Sequence, residues 1–249
     1  MDLHLKHKVV LVSGGARGIG RAVVDGLLEE SAVPVILDKN YVQDAQLKSY
    51  QVDLTSAEAC REVITQISNE FGIIDGIVNN AGFNDSIGLE KGTPEEFIQS
   101  LTNNIGHYYY LVHYALPWLK KSKGSIVNIG SKTSVTGQGN TSGYVAAKGG
   151  ILALTREWAV ELLPYSIRVN AVIPAEVATP LYEAWINNFA DPKQKLQEIT
   201  RNIPLEHRLT KPEEIAATVL FLLSDRSSHT TGQWIFVDGG YTHLDRSIR

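Results

Sequence analysis

The chain has 249 residues, of which 43% are hydrophobic and 20% charged, and its formal net charge is −4. This composition predicts a folded globular protein with a sizeable core, and it excludes bulk disorder and collagen-like repeats. The slightly acidic total, without a basic block, argues against a nucleic-acid-binding protein. Cys60 is the only cysteine, which excludes an internal disulfide framework and a multi-cysteine metal site.

No apolar run approaches the ~20 residues that a membrane helix needs. The first residues also lack a cationic segment that leads into an apolar one. We therefore expect a cytoplasmic protein that does not bind membranes.

The histidines, among them His107 and His113, lack paired ligand spacing, so we expect them on helix faces and expect no metal site.

Strand-like and helix-like segments alternate along the whole chain. Short apolar runs predict strands at 8–12, 33–37, 51–54, 74–78, 124–129, 167–173 and 234–237. Helical spacing of apolar residues predicts helices at 21–31, 57–71, 95–121 (bent near Gly106), 142–163, 181–202 and 212–224. Apolar strands separated by amphipathic helices predict an α/β fold, a doubly wound (Rossmann) parallel sheet of about seven strands. No linker divides the chain, so we expect one domain over 1–249, with a helical substrate lid at about 180–203.

A glycine-rich turn at 13–20 (SGGARGIG) lies between the first predicted strand and the first predicted helix. Glycines there allow a sharp turn and a close approach of the backbone to a pyrophosphate, which the start of the helix can bind through its free N–H groups. The spacing of Gly14, Gly18 and Gly20 is looser than the commonest dinucleotide fingerprint. A purely structural turn is the alternative, and the position directly after a strand favours a dinucleotide site.

The identity of the nicotinamide cofactor depends on Asp38, which ends the second predicted strand. A carboxylate at this place can accept hydrogen bonds from the adenosine ribose and would repel a 2′-phosphate, which favours NAD. A turn-forming aspartate is the alternative. Arg17 and Lys39 could instead bind a 2′-phosphate, so NADP remains open.

Tyr144 and Lys148 are four residues apart on a predicted helix and therefore share one face. A phenol has a pKa of about 10, and a neighbouring ammonium lowers it, so the tyrosine could exchange a proton with a substrate oxygen. Such pairs are also common on solvated helix faces, so the pair alone does not establish a site.

Further motifs follow in a fixed order, and with them the chain resembles the short-chain dehydrogenase/reductase family over its whole length. They are the glycine turn, NNAG at 79–82, Ser131 thirteen residues before Tyr144, the YxxxK pair, Pro174 and Thr179. The resemblance implies that Tyr144 is the acid/base, that Lys148 lowers its pKa and holds the nicotinamide ribose, and that Ser131 orients the reacting oxygen. It also implies that Asn104 anchors a water molecule that links Lys148 to solvent.

The resemblance also implies a set of nicotinamide cofactor contacts. They are Gly14, Arg17, Gly18, Ile19, Asp38, Asp53, Leu54, Asn80, Ala81, Gly82, Tyr144, Lys148, Pro174, Val177 and Thr179. Asp53 would contact the adenine amino group, with a turn carboxylate as the alternative. Enoyl reductases of the superfamily have a wider Tyr–Lys spacing than the YxxxK found here, which favours alcohol or carbonyl chemistry. One departure is Ala175, where the family usually has glycine after the proline.

Polar loops are predicted at the carboxyl ends of the strands, where ligands bind in this fold. Such loops suit a polyhydroxylated ligand, because buried polar groups need hydrogen-bond partners; single loop residues can equally well be solvated. The candidate substrate residues are Asn84, Ser131, Gln138, Asn140, Tyr144, Glu176 and Trp185. Trp185 could also be a core aromatic residue.

The segments 137–144, 173–177 and 238–245 resemble those of the bacterial L-fucose dehydrogenases. This resemblance implies oxidation of the anomeric hydroxyl of a free aldose, L-fucose or a close relative, to its lactone. An NADPH-dependent ketone or ketoacyl reductase is the second hypothesis, and a nucleotide-sensing protein without turnover is the third. The family resemblance also implies a homotetramer, in which the tail at 241–249 could either be disordered or cross to a neighbouring subunit.

Overall fold

A seven-stranded parallel sheet forms the centre of the molecule, in the order β3-β2-β1-β4-β5-β6-β7. The computed structural model describes residues 2–40, 42, 44 and 47–244. The strands are β1 (Val9–Ser13), β2 (Val33–Asp38), β3 (Lys48–Gln51), β4 (Gly76–Asn79), β5 (Ser125–Ile129), β6 (Arg168–Pro174) and β7 (Trp234–Val237). This arrangement confirms the predicted doubly wound fold.

Helices cover both faces of the sheet. They are α1 (Gly18–Glu29), α2 (Ala57–Phe71), α3 (Pro94–Leu101), α4 (His107–Ser122), α5 (Ser142–Glu161), α6 (Pro180–Ile186), α7 (Pro192–Thr200) and α8 (Pro212–Leu223). Successive strand residues point to opposite faces, so Val9 and Leu11 of β1 join the core under α2, α4 and α5. Val10 and Val12 join the core under α1 and α8. The near-continuous apolar runs of the sequence follow from this burial on both faces.

The third strand lies three residues earlier than the sequence predicts, at 48–51 rather than 51–54. It is an edge strand with half-buried and exposed side chains, so it lacks the apolar pattern of the inner strands. Beyond it the chain leaves the sheet, because the Asp53 carboxylate accepts hydrogen bonds from the backbone and side chain of Thr55 and closes a turn.

The predicted long helix at 95–121 is interrupted, and the interruption is a π-helical turn at Thr102–Gly106 between α3 and α4. Short π-helical turns inside α-helices are frequent at functional sites. The predicted lid helix at 181–202 consists of two helices, α6 and α7, because Asp191 caps α7 and Pro192 occupies its first turn. Among the described residues, no helix is both long and apolar enough to cross a membrane.

The order of the strands reverses at β1, which has β2 on one side and β4 on the other. In open parallel sheets the crevice at the carboxyl ends of such neighbouring strands is the usual ligand site. The glycine turn follows β1, and the NNAG motif follows β4 at the same edge. Predictions that involve residues 245–249 of the tail lie outside the described residues.

Candidate active site

The glycine turn folds tightly against the end of β4. Gly14 and Gly18 have φ values of +66° and +59°, which L-residues with a side chain rarely adopt. A Cβ on Gly20 would lie 2.2 Å from the Gly14 carbonyl oxygen. The Asn80 amide donates to the carbonyl oxygens of Ser13 and Gly14 at 3.0 and 3.2 Å. Asn80 therefore holds the turn in place through its own side chain.

The start of α1 offers a place for a dinucleotide phosphate. No side chain caps this helix, and its first turn contains no acidic residue, so its N–H groups face the turn without a competing acceptor. Arg17 is exposed at the N-cap, and Ile19 is half-buried against the core. A Cβ on Gly18 would lie 3.4 Å from the Thr179 side chain, so the segment after β6 approaches the turn from the other side.

Asp38 lies at the end of β2, buried beside the glycine turn. Its carboxylate accepts hydrogen bonds from the backbone N–H of Ala16 at 3.2 Å and of Asn40 at 2.9 Å, and from the Asn40 side chain at 3.3 Å. A carboxylate has about four acceptor sites, so Asp38 retains capacity for a ribose hydroxyl. These residues fit a bound nicotinamide dinucleotide.

The remaining predicted cofactor residues lie around this crevice. Leu54 is half-buried, Pro174 and Val177 are buried, and Asp53 is exposed in its turn with Thr55. The Thr179 hydroxyl caps α6 by accepting a hydrogen bond from the N–H of Tyr182 at 3.2 Å. Ala175 has no positive φ, so alanine is accommodated after Pro174 without strain.

Ser131, Tyr144 and Lys148 meet at the carboxyl end of β5. Ser131 follows this strand, while Tyr144 and Lys148 lie in the first two turns of α5. Thr133 donates to the Ser131 oxygen from its hydroxyl at 3.0 Å and its N–H at 3.3 Å, so the Ser131 proton remains free to be donated. A hydrogen bond with Ser131 lowers the pKa of Tyr144, whereas burial and the charges of Glu176 and Asp85 raise it. Burial is the larger effect, so the pKa of Tyr144 is raised.

The Lys148 ammonium is buried and points into the core beside Tyr144. It donates to the carbonyl oxygen of Ile129 at 2.8 Å and to the Tyr108 hydroxyl at 3.1 Å, and it lies 5.8 Å from the centre of the Tyr144 ring. Burial lowers the pKa of Lys148 to about 7. Tyr108 in turn donates to Ile129 at 2.9 Å. Lys148 is thus held in a fixed position beside Tyr144, without a direct hydrogen bond to it.

Asn104 occupies the π-helical turn and is fully buried. Its amide donates to the Ser100 carbonyl oxygen at 3.0 Å, and its Oδ1 accepts from the N–H of Phe83 at 2.8 Å. A Cβ on Gly82 would lie 3.0 Å from Asn104 Oδ1 and 3.7 Å from Lys148 Nζ. The π-helical turn therefore brings Asn104 and the NNAG loop next to Lys148.

His107 lies on the buried face of helix α4. It is the first residue of α4, directly after the π-helical turn, and this turn rotates it into the core. Burial and the charge of Lys148 lower its pKa to about 3, so it is neutral at physiological pH.

Two carboxylates lie in the loops around Tyr144. Asp85 follows the NNAG motif, and its Oδ1 is buried without a hydrogen-bond partner among the residues that the structure describes. Glu176 follows β6 and forms an ion pair with Lys132, which follows Ser131. The negative charges of both carboxylates raise the pKa of Tyr144.

The other predicted substrate residues lie further out, at the rim. Asn84, Gln138 and Asn140 are exposed, and Asn84 closes a local turn with Ser86. Trp185 is 42% exposed and packs between Tyr182 and Phe189 on the lid. Of the polar residues predicted to bind substrate, Ser131, Tyr144 and Glu176 are the ones that meet at the centre.

Comparison with known proteins agrees with this geometry. The sequence model of the family described as "Enoyl-(Acyl carrier protein) reductase" matches residues 14–242. The chain belongs to the short-chain dehydrogenase/reductase family. As a member, it is an NAD(P)-dependent oxidoreductase.

Relatives within the family differ in substrate. The chain is 35% identical to L-fucose dehydrogenase of Bos taurus over 241 residues, which cover 94% of this chain and 88% of the relative. It is 33% identical to the 3-oxoacyl-[acyl-carrier-protein] reductase FabG of Thermotoga maritima over 250 residues, 96% of this chain and 99% of the relative. The ligand-free structure of Thermoplasma acidophilum aldohexose dehydrogenase superposes with a TM-score of 0.94 at 31% identity, covering 99% and 98% of the two chains.

The candidate substrate residues predicted from the sequence did not include Lys132, Asp85 and Tyr241, although Lys132 and Asp85 lie in the polar loops predicted to reach the site, and Tyr182 was predicted only as a lid residue that could face the substrate. Lys132, Asp85, Tyr182 and Tyr241 come from four separate loops and helices, and no local spacing connects them. The one available indication was the position of Lys132 and Asp85 beside the predicted motifs, Ser131 and NNAG.

Proposed function

We propose that the protein oxidises the anomeric hydroxyl of a free aldose, L-fucose or a close stereochemical relative, to the lactone with NAD. The observation that carries this proposal is a pair of shielded carboxylates: Asp85 Oδ1 is buried and the Glu176 side chain is only 17% exposed, and the charges of both raise the pKa of Tyr144. A sugar presents several hydroxyl groups on one small molecule, and each can donate a proton to a carboxylate oxygen. An apolar ketone or acyl chain would leave the buried Asp85 oxygen unpaired, at a cost in binding.

Tyr144 would take the proton from the anomeric hydroxyl as the C1–H bond breaks and the C1=O bond of the lactone forms. Ser131, whose proton is not used by Thr133, would donate to the same oxygen and orient it. Lys148 would stabilise the phenolate through its charge, because both groups lie in a buried site of low dielectric.

NAD, when bound, supplies the acceptor for the hydride that leaves C1. The uncapped start of α1 and the glycine turn would hold its pyrophosphate. Asp38 would hold the adenosine ribose, and its charge would oppose the 2′-phosphate of NADP. Asn104 would anchor a water molecule beside Lys148.

An NADPH-dependent ketoacyl reductase is the alternative, and the similarity to the FabG protein supports it. Asp38 at the end of β2 and the acidic groups around Tyr144 favour the sugar dehydrogenase. The name of the bovine relative and the name of the Thermoplasma structure favour it as well. We further propose a single catalytic domain, a homotetramer and a cytoplasmic location, as expected from the family resemblance.

A substrate pair tests the position of attack. L-fucose should reduce NAD in the presence of the protein, and methyl α-L-fucoside should not, because its anomeric oxygen is blocked. The product should hydrolyse to the aldonic acid, which chromatography or mass spectrometry identifies. Equal oxidation of the two sugars would refute anomeric oxidation.

A further inference from the structure

A charged cluster lies beside the proposed catalytic residues, and three loops build it. Lys132 comes from the loop after β5, Glu176 from the loop after β6 and Tyr241 from the turn after β7. Lys132 and Glu176 form an ion pair, and the Lys132 ammonium also lies 4.0 Å from the centre of the Tyr241 ring. The side chains of the pair are only 11% and 17% exposed, so both charges are largely withdrawn from water.

Each member of the cluster is held by its own backbone contacts. The Lys132 carbonyl oxygen accepts hydrogen bonds from the N–H groups of Val135 and Thr136, which close a short 3₁₀ turn. The Glu176 carbonyl oxygen accepts from the N–H of Thr210 at 2.9 Å. The turn that carries Tyr241 is fixed by the buried carboxylate of Asp238, which accepts hydrogen bonds from the N–H groups of Gly240 and Thr242. The cluster is therefore preorganised.

The cluster lies next to the proposed catalytic residues, because Lys132 directly follows Ser131 in the chain. The charge of Glu176 raises the pKa of Tyr144 and also that of Tyr182 on the lid. The charge of Asp85 raises the pKa of Tyr144 as well. The charges of Lys132 and Glu176 cancel, so with Asp85 the substrate side of Tyr144 carries a net charge of about −1 when all three groups are ionised.

A buried ion pair is a poor source of stability, because the loss of hydration offsets most of the attraction between the charges. In this site the ion pair matters for substrate binding rather than for stability. The ammonium retains N–H donors and the carboxylate retains acceptor sites, so the pair can satisfy a hydroxyl group, which donates and accepts. An anionic group of a substrate in the same largely buried region would be repelled by the charges of Glu176 and Asp85.

From this geometry we propose that the Lys132–Glu176 pair is the specificity-determining element of the site, which admits neutral polyhydroxylated sugars and rejects sugars that carry a carboxylate or a phosphate. Lys132 offsets the charge of Glu176, so that the net charge of this side of the site is limited to that of one carboxylate. The proposal rests on the proposed oxidation of free aldoses, and it narrows the substrate class of that same site.

Substitutions at the two positions should change the selectivity in opposite directions. Glu176→Gln keeps the size and a hydrogen bond to Lys132 but removes one negative charge, so the ratio of kcat/KM for a neutral aldose to that for the corresponding uronate should fall. Lys132→Met leaves Glu176 unpaired, so the same ratio should rise. We expect each shift to be about tenfold or more, the effect of a charge pair in a largely dry site.

The assay measures NAD reduction by the purified full chain with an aldose and with its uronate, each over a range of concentrations. Lys8→Met is the matched control, because it also breaks an ion pair, Lys8–Asp75 at 3.2 Å, at the opposite edge of the sheet. This control should leave the ratio unchanged. Thermal unfolding of each variant shows which ones are folded, and Glu176→Gln alone decides the question if Lys132→Met does not fold.

The possible outcomes separate this proposal from the one on which it rests. If wild-type protein oxidises no aldose, both proposals fail. Suppose that it oxidises aldoses and that, in both variants, kcat/KM falls by the same factor for the neutral and the anionic sugar. The pair then only holds the loops together, and the specificity proposal alone is refuted. Unchanged kinetics of the folded variants would refute it as well.

Discussion

The glycine turn offers a direct test of how the fold forms the cofactor site. In Gly20→Ala the new Cβ would lie 2.2 Å from the Gly14 carbonyl oxygen and 2.6 Å from the Asn80 amide nitrogen. The carbonyl belongs to the backbone and cannot rotate away, so the start of α1 has to move from the turn. We therefore expect weaker NAD binding, because the N–H groups of α1 and the turn no longer converge on one place.

The expected magnitudes follow from the same contacts. Overpacking costs ~1–3 kcal/mol, and the better helix propensity of alanine returns up to ~1 kcal/mol. The free energy of unfolding should thus fall by about 0–3 kcal/mol. The dissociation constant of NAD should rise at least ~10-fold, or ~1.4 kcal/mol, since a displaced phosphate site loses several hydrogen bonds together.

Titration calorimetry with NAD and chemical denaturation measure the two quantities on the same samples. Gly72→Ala is the control, because Gly72 also has a positive φ, +68°, ends α2 far from the site and has no atom within 4 Å of a Cβ. It should cost about 1 kcal/mol of stability through its left-handed conformation and leave the NAD affinity unchanged. A folded Gly20→Ala protein that binds NAD like wild type would refute the reasoning.

Three further predictions concern single side chains of the site. Tyr144→Phe should lower kcat by about 10²–10⁴-fold with little change in the dissociation constant of NAD, and near-normal turnover would overturn its role as the base. Asp38→Ala should raise kcat/KM with NADP relative to NAD, and an unchanged ratio would show that Asp38 does not select the cofactor. Glu176→Gln should shift the rise of the oxidation rate with pH to lower pH, because Glu176 raises the pKa of Tyr144 and this residue acts when deprotonated. A shift to higher pH, or none, in a pH–rate profile would contradict that assignment.

Much of the fold was predictable because the inner strands are buried on both faces and therefore consist of apolar runs. The third strand was misplaced because it is an edge strand of mixed polarity, Lys48–Gln51, without such a run. The lid was predicted as one helix because helical spacing continues through 187–191, where the capping Asp191 and Pro192 start a new helix.

The catalytic candidates could be found because each lies in a short motif with fixed spacing. Ser131, Tyr144 and Lys148 do converge in the structure, with Asn104 behind them. The Lys132–Glu176–Tyr241 cluster could not be predicted from the sequence, because its members follow three different strands and meet only when the sheet is formed. Asn140 and Gln138 were proposed from polarity alone, and both are exposed at the rim.

The central claim is that this site oxidises a free aldose with NAD. One measurement tests it most directly, the initial rate at which purified protein converts the nicotinamide cofactor. Two reactions run in parallel: one contains NAD with L-fucose or a related aldose, and the other contains NADPH with a ketoacyl thioester. We predict strong NAD reduction with L-fucose or a close stereochemical relative and little turnover of the thioester. Oxidation of NADPH by the thioester, without activity on any aldose, would contradict the account.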